Sequence, residues 1–303
     1  MLLVEQCLNA IQFGLVLFLI SAGLTLVFGI MDVINLTHGT LYMIGAFVAA
    51  TVARTTNSFL LAIAAAVAAI AVLAAVLEAG IIRRIFGRDH MSQVLATFAV
   101  VLVMNDAARM IWGPEQLLVK TPQLLSGAVT LFPGFGYSAY RLMIIAVGVA
   151  AALLLYVLIE HSRYGQLVRA SASNPEMARM MGTNVDRLFA VVFVIGGMLA
   201  ALAGALLAPI FAVQIGMGDD VLIMAFVTIV IGGLGSVRGA FIGSLIVAAF
   251  DTFGRAALPP LLRGVLPPNV ASLVGPMLSS ISIYVVMAGV LLWKPQGLFP
   301  VRA

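Results

Sequence analysis

Between Phe59 and Ile82 the chain runs FLLAIAAAVAAIAVLAAVLEAGII, with Glu78 as its one charged side chain. A helix needs about 20 apolar residues to cross a hydrocarbon core. Backbone in lipid must satisfy its own polar groups, which a single segment does only as a helix. That stretch alone dictates a membrane-embedded chain. Ile11–Ile30, Met91–Ile111, Leu142–Ile159, Leu188–Ala208 and Pro276–Trp293 read as further spans. Composition agrees, with 63% hydrophobic and 9% charged residues where a soluble domain carries about 25% charged residues. No polar stretch is long enough to bury a core of its own, so residues 1–303 read as a single transmembrane domain. The N-terminal MLLVEQCLNAIQF has no basic leader region, and the first span is expected to be retained.

Some apolar pieces are too short to cross. Thr40–Ala53 follows MDVINLTHG, and Val221–Ile231 runs into GGLGSVRG before Ala240–Phe250. These predict broken or re-entrant elements near residues 31–53 and 232–239. The expected architecture is thus an all-α helix bundle of about eight or nine membrane segments. Such interrupted segments in both halves point to a transport path, because non-helical backbone survives at membrane depth only where protein or a watery cavity satisfies it. Trp112–Tyr140, with three prolines and a Gly-Phe-Gly-Tyr run, reads as an interfacial loop. Leu258–Leu273, with two Pro-Pro pairs, reads as an external loop.

The longest polar run is EHSRYGQLVRASASNPEMARMMGTNVDR, Glu160–Arg187. Held between two spans and rich in arginine, it belongs in the cytoplasm. With that loop and Arg83 inside, Arg84, Arg88, Arg169, Arg179, Arg187, Arg238, Lys294 and Arg302 are inside too. Arg54, Arg109, Lys120, Arg141, Arg255 and Arg263 lie outside or at an edge. The C-terminus is inside, and the side of the N-terminus depends on how residues 31–53 are threaded. Within the loop, Asn174-Pro175 predicts an N-cap followed by proline at the first helical position. Glu176 suits the first turn and Gly182 a C-terminal stop. Met177, Met180 and Met181 then share one helical face. Flexible methionine faces fit grooves in partner proteins, and they also fit a helix lying on lipid headgroups.

Four stretches, taken in order, resemble the permeases of bacterial ATP-binding cassette (ABC) importers for branched-chain amino acids. They are Phe28–Phe47 with its Asn35-x-x-His38-Gly39 segment, the Glu160–Arg187 loop, Gly232–Gly239, and Lys294-Pro-Gln-Gly-Leu-Phe299. In the loop the resemblance rests on Arg163-Tyr164-Gly165, Arg169, Asn174, Ala178 and Gly182. Asp32, Thr37 and Met177 depart from that family's pattern. The resemblance implies an inner-membrane, multi-pass permease that pairs with a second permease subunit, as a heterodimer. Two cytoplasmic ATP-binding subunits would drive it, and a periplasmic substrate-binding protein would deliver the amino acid. Residues 160–187 would be the coupling loop, with Arg163, Tyr164, Gly165, Asn174, Glu176, Met177, Ala178, Met180, Met181 and Gly182 meeting the ATPase. Asn35, Thr37, His38, Gly232, Gly233 and Gly235 are candidates for the translocation pathway. Equally, His38 could cap backbone freed at a helix break, and the glycines could serve helix packing alone.

The chain has no GxxxxGK[ST] phosphate loop, so no ATP or other cofactor is expected on it. Its single Cys7 excludes an internal disulfide, and its three histidines form no catalytic or metal-binding pattern. A net charge of +4 is explained by basic loops rather than by nucleic-acid binding. Asp106 and Arg109 are expected to pair on one helix, Glu78 and Glu160 to meet headgroups or arginines, and Asp219 and Asp220 to cap the helix from Val221. Permeases for urea, short amides or small carboxylates remain alternative readings, as do a self-sufficient channel or carrier and a membrane enzyme.

Overall fold

The computed structural model describes residues 2–299, to which the statements below refer. Eleven helices and one β-hairpin follow in order: α1 (Leu2–Met31), α2 (Thr37–Thr56), α3 (Phe59–Ile85), α4 (His90–Trp112), β1 (Ala128–Phe132), β2 (Phe135–Ser138), α5 (Ala139–His161), α6 (Arg163–Ser173), α7 (Pro175–Met180), α8 (Val185–Leu207), α9 (Met217–Gly232), α10 (Val237–Leu262) and α11 (Pro268–Trp293). Seven of them, α1, α3, α4, α5, α8, α10 and α11, are long and apolar enough to cross a membrane. With the shorter α2 and α9 they form an all-α membrane bundle.

The bundle has an inner layer and an outer one. Helices α1, α2, α8 and α9 pack on one another, and α3, α4, α5, α10 and α11 wrap them. Burial follows, with 78% of the apolar window of α1 and 67% of that of α8 inside the protein, against 28% or less for the outer helices. Lipid tails are as apolar as leucine, so close backbone contact and van der Waals fit must join the inner helices. Glycines allow it. A Cβ built on Gly39 of α2 would lie 2.3 Å from the Gly218 carbonyl oxygen of α9, and one on Gly218 would lie 2.2 Å from the Gly39 oxygen. Gly23 and Gly196 make the corresponding crossing of α1 with α8. The crossings pair α1 with α8 and α2 with α9, and α1 packs on α10 as α8 packs on α3, as in an internal repeat.

The breaks fall where the sequence predicts them, at residues 32–36 and 233–236. They are not equivalent under the repeat, since one precedes α2 and the other follows α9. Asp32 leaves α1 in the left-handed region (φ 50°), a conformation that a short polar side chain tolerates. The extended residues after it return into the bundle. The Gln93 side chain of α4 accepts from the Ile34 amide at 3.1 Å, and the Thr97 hydroxyl faces the Ile34 carbonyl at 3.4 Å.

Two expectations need correction. Leu258–Leu273 is not an external loop: α10 runs on through Pro259 and Pro260, and α11 starts at Pro268. The first pair sits in the last turn of α10, where it removes the helical donors to the Arg255 and Ala256 carbonyls, and the helix ends at Leu262. Pro268 occupies the first helical position, where its missing N–H costs nothing. Asp219 and Asp220 do not cap α9 either; they lie in its first turn, and Gly216 is the residue before it. The interfacial loop contains β1 and β2, whose Phe135 and Tyr137 are buried. Its turn is Pro133-Gly134, with Gly134 at φ 82°.

Charge distinguishes the two ends of the bundle. Glu160, at the end of α5, pairs with Arg238 at the start of α10, and Gly29, near the end of α1, packs on Gly235. These termini therefore share one end, along with the Arg83–Arg88 turn and the 162–184 loop. Basic side chains concentrate at this end. A 30-residue helix rises about 45 Å, so α1 begins at the opposite end. Arg302 lies outside the described residues.

Candidate functional site

The basic end of the bundle brings together all four stretches singled out in the sequence. Gly233 (φ 107°) and Gly235 (φ 81°) carry the turn between α9 and α10. The C-terminal segment then lies against it. The Leu298 and Phe299 amides donate to the Ile231 and Gly232 carbonyls, each at 2.9 Å. Those carbonyls belong to the last turn of α9 and have no helical donor left. Gly297 fits against Gly233, where a Cβ would lie 2.5 Å from the Gly233 Cα. On the other side Gly235 meets Gly29, which leads into the first break. Gly232 packs face to face with Gly239.

The polar loop closes over this junction. Ser162 caps α6 through the Gly165 amide at 3.0 Å. Gly165 sits so close to the end of α5 that a Cβ would fall 2.0 Å from the Ile159 carbonyl oxygen. As the sequence predicts, Asn174 caps α7, its Oδ1 accepting from the Met177 amide at 2.9 Å, with Pro175 at the first position. Gly182 ends the turn at φ 85°. Ala178 faces inward, while Met177, Met180 and Met181 are exposed at 55, 81 and 80%. Arg179 reaches Asp186 at 2.9 Å and ties α7 to α8. Tyr164 is exposed, and Arg169 donates to the Ile159 carbonyl. Glu160 lies between Arg169 (3.9 Å) and Arg238 (3.2 Å), and the Arg238 guanidinium rests over the Tyr156 ring. Both Glu160 and Glu78 sit in π-helical turns at the inner ends of their helices, and Glu78 is held by Arg83 at 3.0 Å. Arginines, then, are the partners of both acids. Asp106 and Arg109 pair at 3.8 Å on an exposed face of α4.

The first break holds a second polar group, deep in the bundle. Asn35, Thr37 and His38 are all buried. The Asn35 Oδ1 accepts from the Thr37 amide at 3.0 Å and from its hydroxyl, which caps the freed start of α2. His38 Nε2 donates to the Ile20 carbonyl of α1 at 3.0 Å, which fixes the proton on that nitrogen. Its Nδ1 and the Asn35 Nδ2 have no protein partner. Buried polar atoms in this state are uncommon and call for an explanation in function or hydration.

One turn further along α2, Tyr42 reaches a cavity of about 700 Å³ toward the end where α1 begins. It lies between α1, α5, α9 and α10, and none of the predicted pathway residues lines it. Sequence reasoning missed it, although Gln6, Asn9 and Phe13 recur along α1 at helical spacing. Asp251 was a second signal, an acid in the middle of an apolar span. It is buried and held by Arg255 at 2.8 Å. The loop after α4 joins the loop between α8 and α9, where Leu117 and Val213 exchange backbone hydrogen bonds at 2.8 and 2.9 Å.

Outside the spans, two groups have displaced acidities. The Asp89 carboxyl is held below the usual carboxylate range by hydrogen bonds from the Ser92 hydroxyl and amide. Burial pushes the Tyr137 phenol up. No cluster of three or more His, Cys, Asp or Glu side chains suited to a metal occurs among the described residues.

Comparison with known proteins gives the context. The family model described as "Branched-chain amino acid transport system / permease component" matches residues 6–291. The high-affinity branched-chain amino acid transport system permease protein LivH of Salmonella typhimurium is 30% identical over 268 residues, 84% of this chain and 86% of that protein. The corresponding protein BraD of Pseudomonas aeruginosa is 30% identical over 82% of this chain and 85% of its own length. A probable branched-chain amino acid transport permease protein LivH of Methanocaldococcus jannaschii is 28% identical over 80% of this chain. No solved structure matches. With the match running across nearly the whole bundle, this multi-pass inner-membrane protein belongs to the branched-chain amino acid transport system permease family.

Proposed function

We propose that this chain is one permease subunit of an ABC importer that moves branched-chain amino acids across the inner membrane. It would be driven by two separate cytoplasmic ATPase subunits and paired with a second permease. A periplasmic binding protein would deliver the solute to the outer cavity. The chain would do no ATP chemistry and need no cofactor of its own. One observation carries the reading: the exposed methionine face of the 160–187 loop is joined through Glu160 and Arg238 to the glycine junction between α9 and α10. A push on α7 would thus reach both helix breaks. The loop residues Arg163, Tyr164, Gly165, Asn174, Glu176, Met177, Ala178, Met180, Met181 and Gly182 form or support the ATPase contact in this reading. The solute path descends from the cavity past Tyr42 to Asn35, Thr37 and His38. It opens inward at Gly232, Gly233 and Gly235. Nucleotide and solute couple only if each favours one of the two bundle states.

The test is reconstitution. Proteoliposomes holding both permeases and both ATPases, supplied with the binding protein and ATP, should accumulate labelled leucine. The same vesicles should fail without ATP. Accumulation against a gradient by this chain alone would reject the reading.

A further inference from the structure

The outer cavity carries charges that the protein itself leaves uncompensated. Arg141, in the first turn of α5, has no carboxylate within ion-pair distance among the described residues. Its partners are neutral, the Asn9 Oδ1 and the Tyr137 hydroxyl, and that hydroxyl itself donates to Asn9 Oδ1 at 3.0 Å. A guanidinium offers five N–H donors in a planar fork, so most of them remain free here. Asp220, in the first turn of α9, likewise has no basic partner. Both line the same cavity. The other pair in it, Asp251 with Arg255, is already closed on itself at 2.8 Å. Phe13, Leu207, Val221 and Met224 supply apolar wall between the charged groups. A pocket with one free cation, one free anion and an aliphatic wall is complementary to a small apolar zwitterion. It disfavours a solute that carries a single charge.

We propose that this cavity is a binding site within the permease itself for the zwitterionic amino acid. The Arg141 guanidinium takes the carboxylate, the Asp220 carboxylate takes the ammonium group, and Phe13, Leu207 and Met224 take the aliphatic side chain. Asn9 and Tyr137 are positioning residues that hold the guanidinium toward the cavity. The site rests on the importer reading above and adds to it an acceptor inside the membrane subunit, distinct from the periplasmic protein that delivers the solute.

The experiment uses the complete permease–ATPase complex in lipid nanodiscs, without the binding protein. Equilibrium binding is measured for leucine, for leucinamide, which lacks the carboxylate, and for isocaproate, which lacks the ammonium group. In the wild type, leucine should bind at least tenfold more tightly than either analogue. Arg141→Gln should weaken leucine and isocaproate tenfold or more and leave leucinamide within twofold. Asp220→Asn should weaken leucine and leucinamide and leave isocaproate within twofold. Arg141→Lys should recover part of the leucine affinity. A variant that weakens all three ligands equally would mark its residue as merely structural and overturn the proposal. So would wild-type complex that transports leucine with its binding protein yet binds none alone, or variants that bind leucine as the wild type does. Complex that transports no branched-chain amino acid at all would instead overturn the importer reading.

Discussion

The Glu160 carboxylate lies 3.2 Å from the Arg238 guanidinium, across the gap between the polar 160–187 loop and the glycine junction of α9 with α10. The two residues come from separate helices, the end of α5 and the start of α10. Arg238 also lies over Tyr156, and Glu160 also faces Arg169. Since the arginine is 64% and the glutamate 35% exposed, the pair adds little to stability, under about 1 kcal/mol. Its value lies in joining the end of α5 to the start of α10.

Glu160→Gln should therefore leave expression and thermal stability nearly unchanged and keep the ATPase subunits bound. Leucine uptake per ATP hydrolysed should fall severalfold. The charge-swapped Glu160→Arg with Arg238→Glu should restore part of the coupling, while Arg238→Glu alone should not. Uptake and hydrolysis measured in the same proteoliposomes decide it. A single variant with an unchanged uptake-to-hydrolysis ratio would remove the pair from the coupling path.

The methionine face makes a separate prediction. Met177→Asp with Met180→Asp replaces two exposed apolar side chains. The loop should still fold, because its caps at Ser162 and Asn174 are untouched. ATPase co-purification should be lost while the permease remains in the membrane. Recovery of the full complex from the double variant would assign those methionines to the lipid surface.

Acid should loosen the turn between α3 and α4. Asp89 caps α4, accepting from the Ser92 amide at 3.0 Å and from its hydroxyl at 2.7 Å. Those bonds favour the carboxylate, so the folded group titrates lower than the unfolded one. The cap contributes fully above the ordinary aspartate value of about 3.9. It is lost as pH falls through the depressed folded value. Asp89→Asn keeps the capping oxygen and should flatten the acid limb of the stability curve. Thermal unfolding in detergent between pH 3 and pH 7 reads the difference. Identical acid limbs for the two proteins would refute it.

Much of this architecture was legible in the sequence. The spans follow from long apolar runs, the breaks from Asn-Leu-Thr-His-Gly and Gly-Gly-Leu-Gly, and the loop helix from Asn174-Pro175. These are local signals, set within a few residues of where they act. What was hidden is non-local. Nothing in the sequence says that Gly29 meets Gly235, or that the terminal Leu298 and Phe299 amides satisfy the end of α9. The Pro259-Pro260 pair misled because proline usually breaks a helix, whereas α10 runs through both before it ends at Leu262. The hairpin was foreseeable from Pro133-Gly134 between two β-prone runs. Arg141 and Asp220 each looked like ordinary outer-edge charges. Their significance comes from facing one cavity, which periodicity in a single helix does not reveal.

The glycine crossing at the centre of the bundle gives the sharpest mutational contrast. Gly218→Ala would place a methyl group 2.2 Å from the Gly39 carbonyl oxygen. Both contacts are backbone, so neither side can yield by changing a rotamer, and α2 and α9 must separate. Overpacking of this kind costs about 1–3 kcal/mol and sometimes more. The melting temperature should fall by several degrees, and because the shift lands where α2 starts, uptake should fall further than stability alone explains. Gly289→Ala in α11 is the control. Its added methyl meets nothing within 4 Å and should gain about 0.5–1 kcal/mol from helix preference. Fluorescence-detected thermal unfolding of both variants in one detergent compares them directly. Equal melting temperatures would mean that the close crossing of α2 with α9 does not hold the inner helices together.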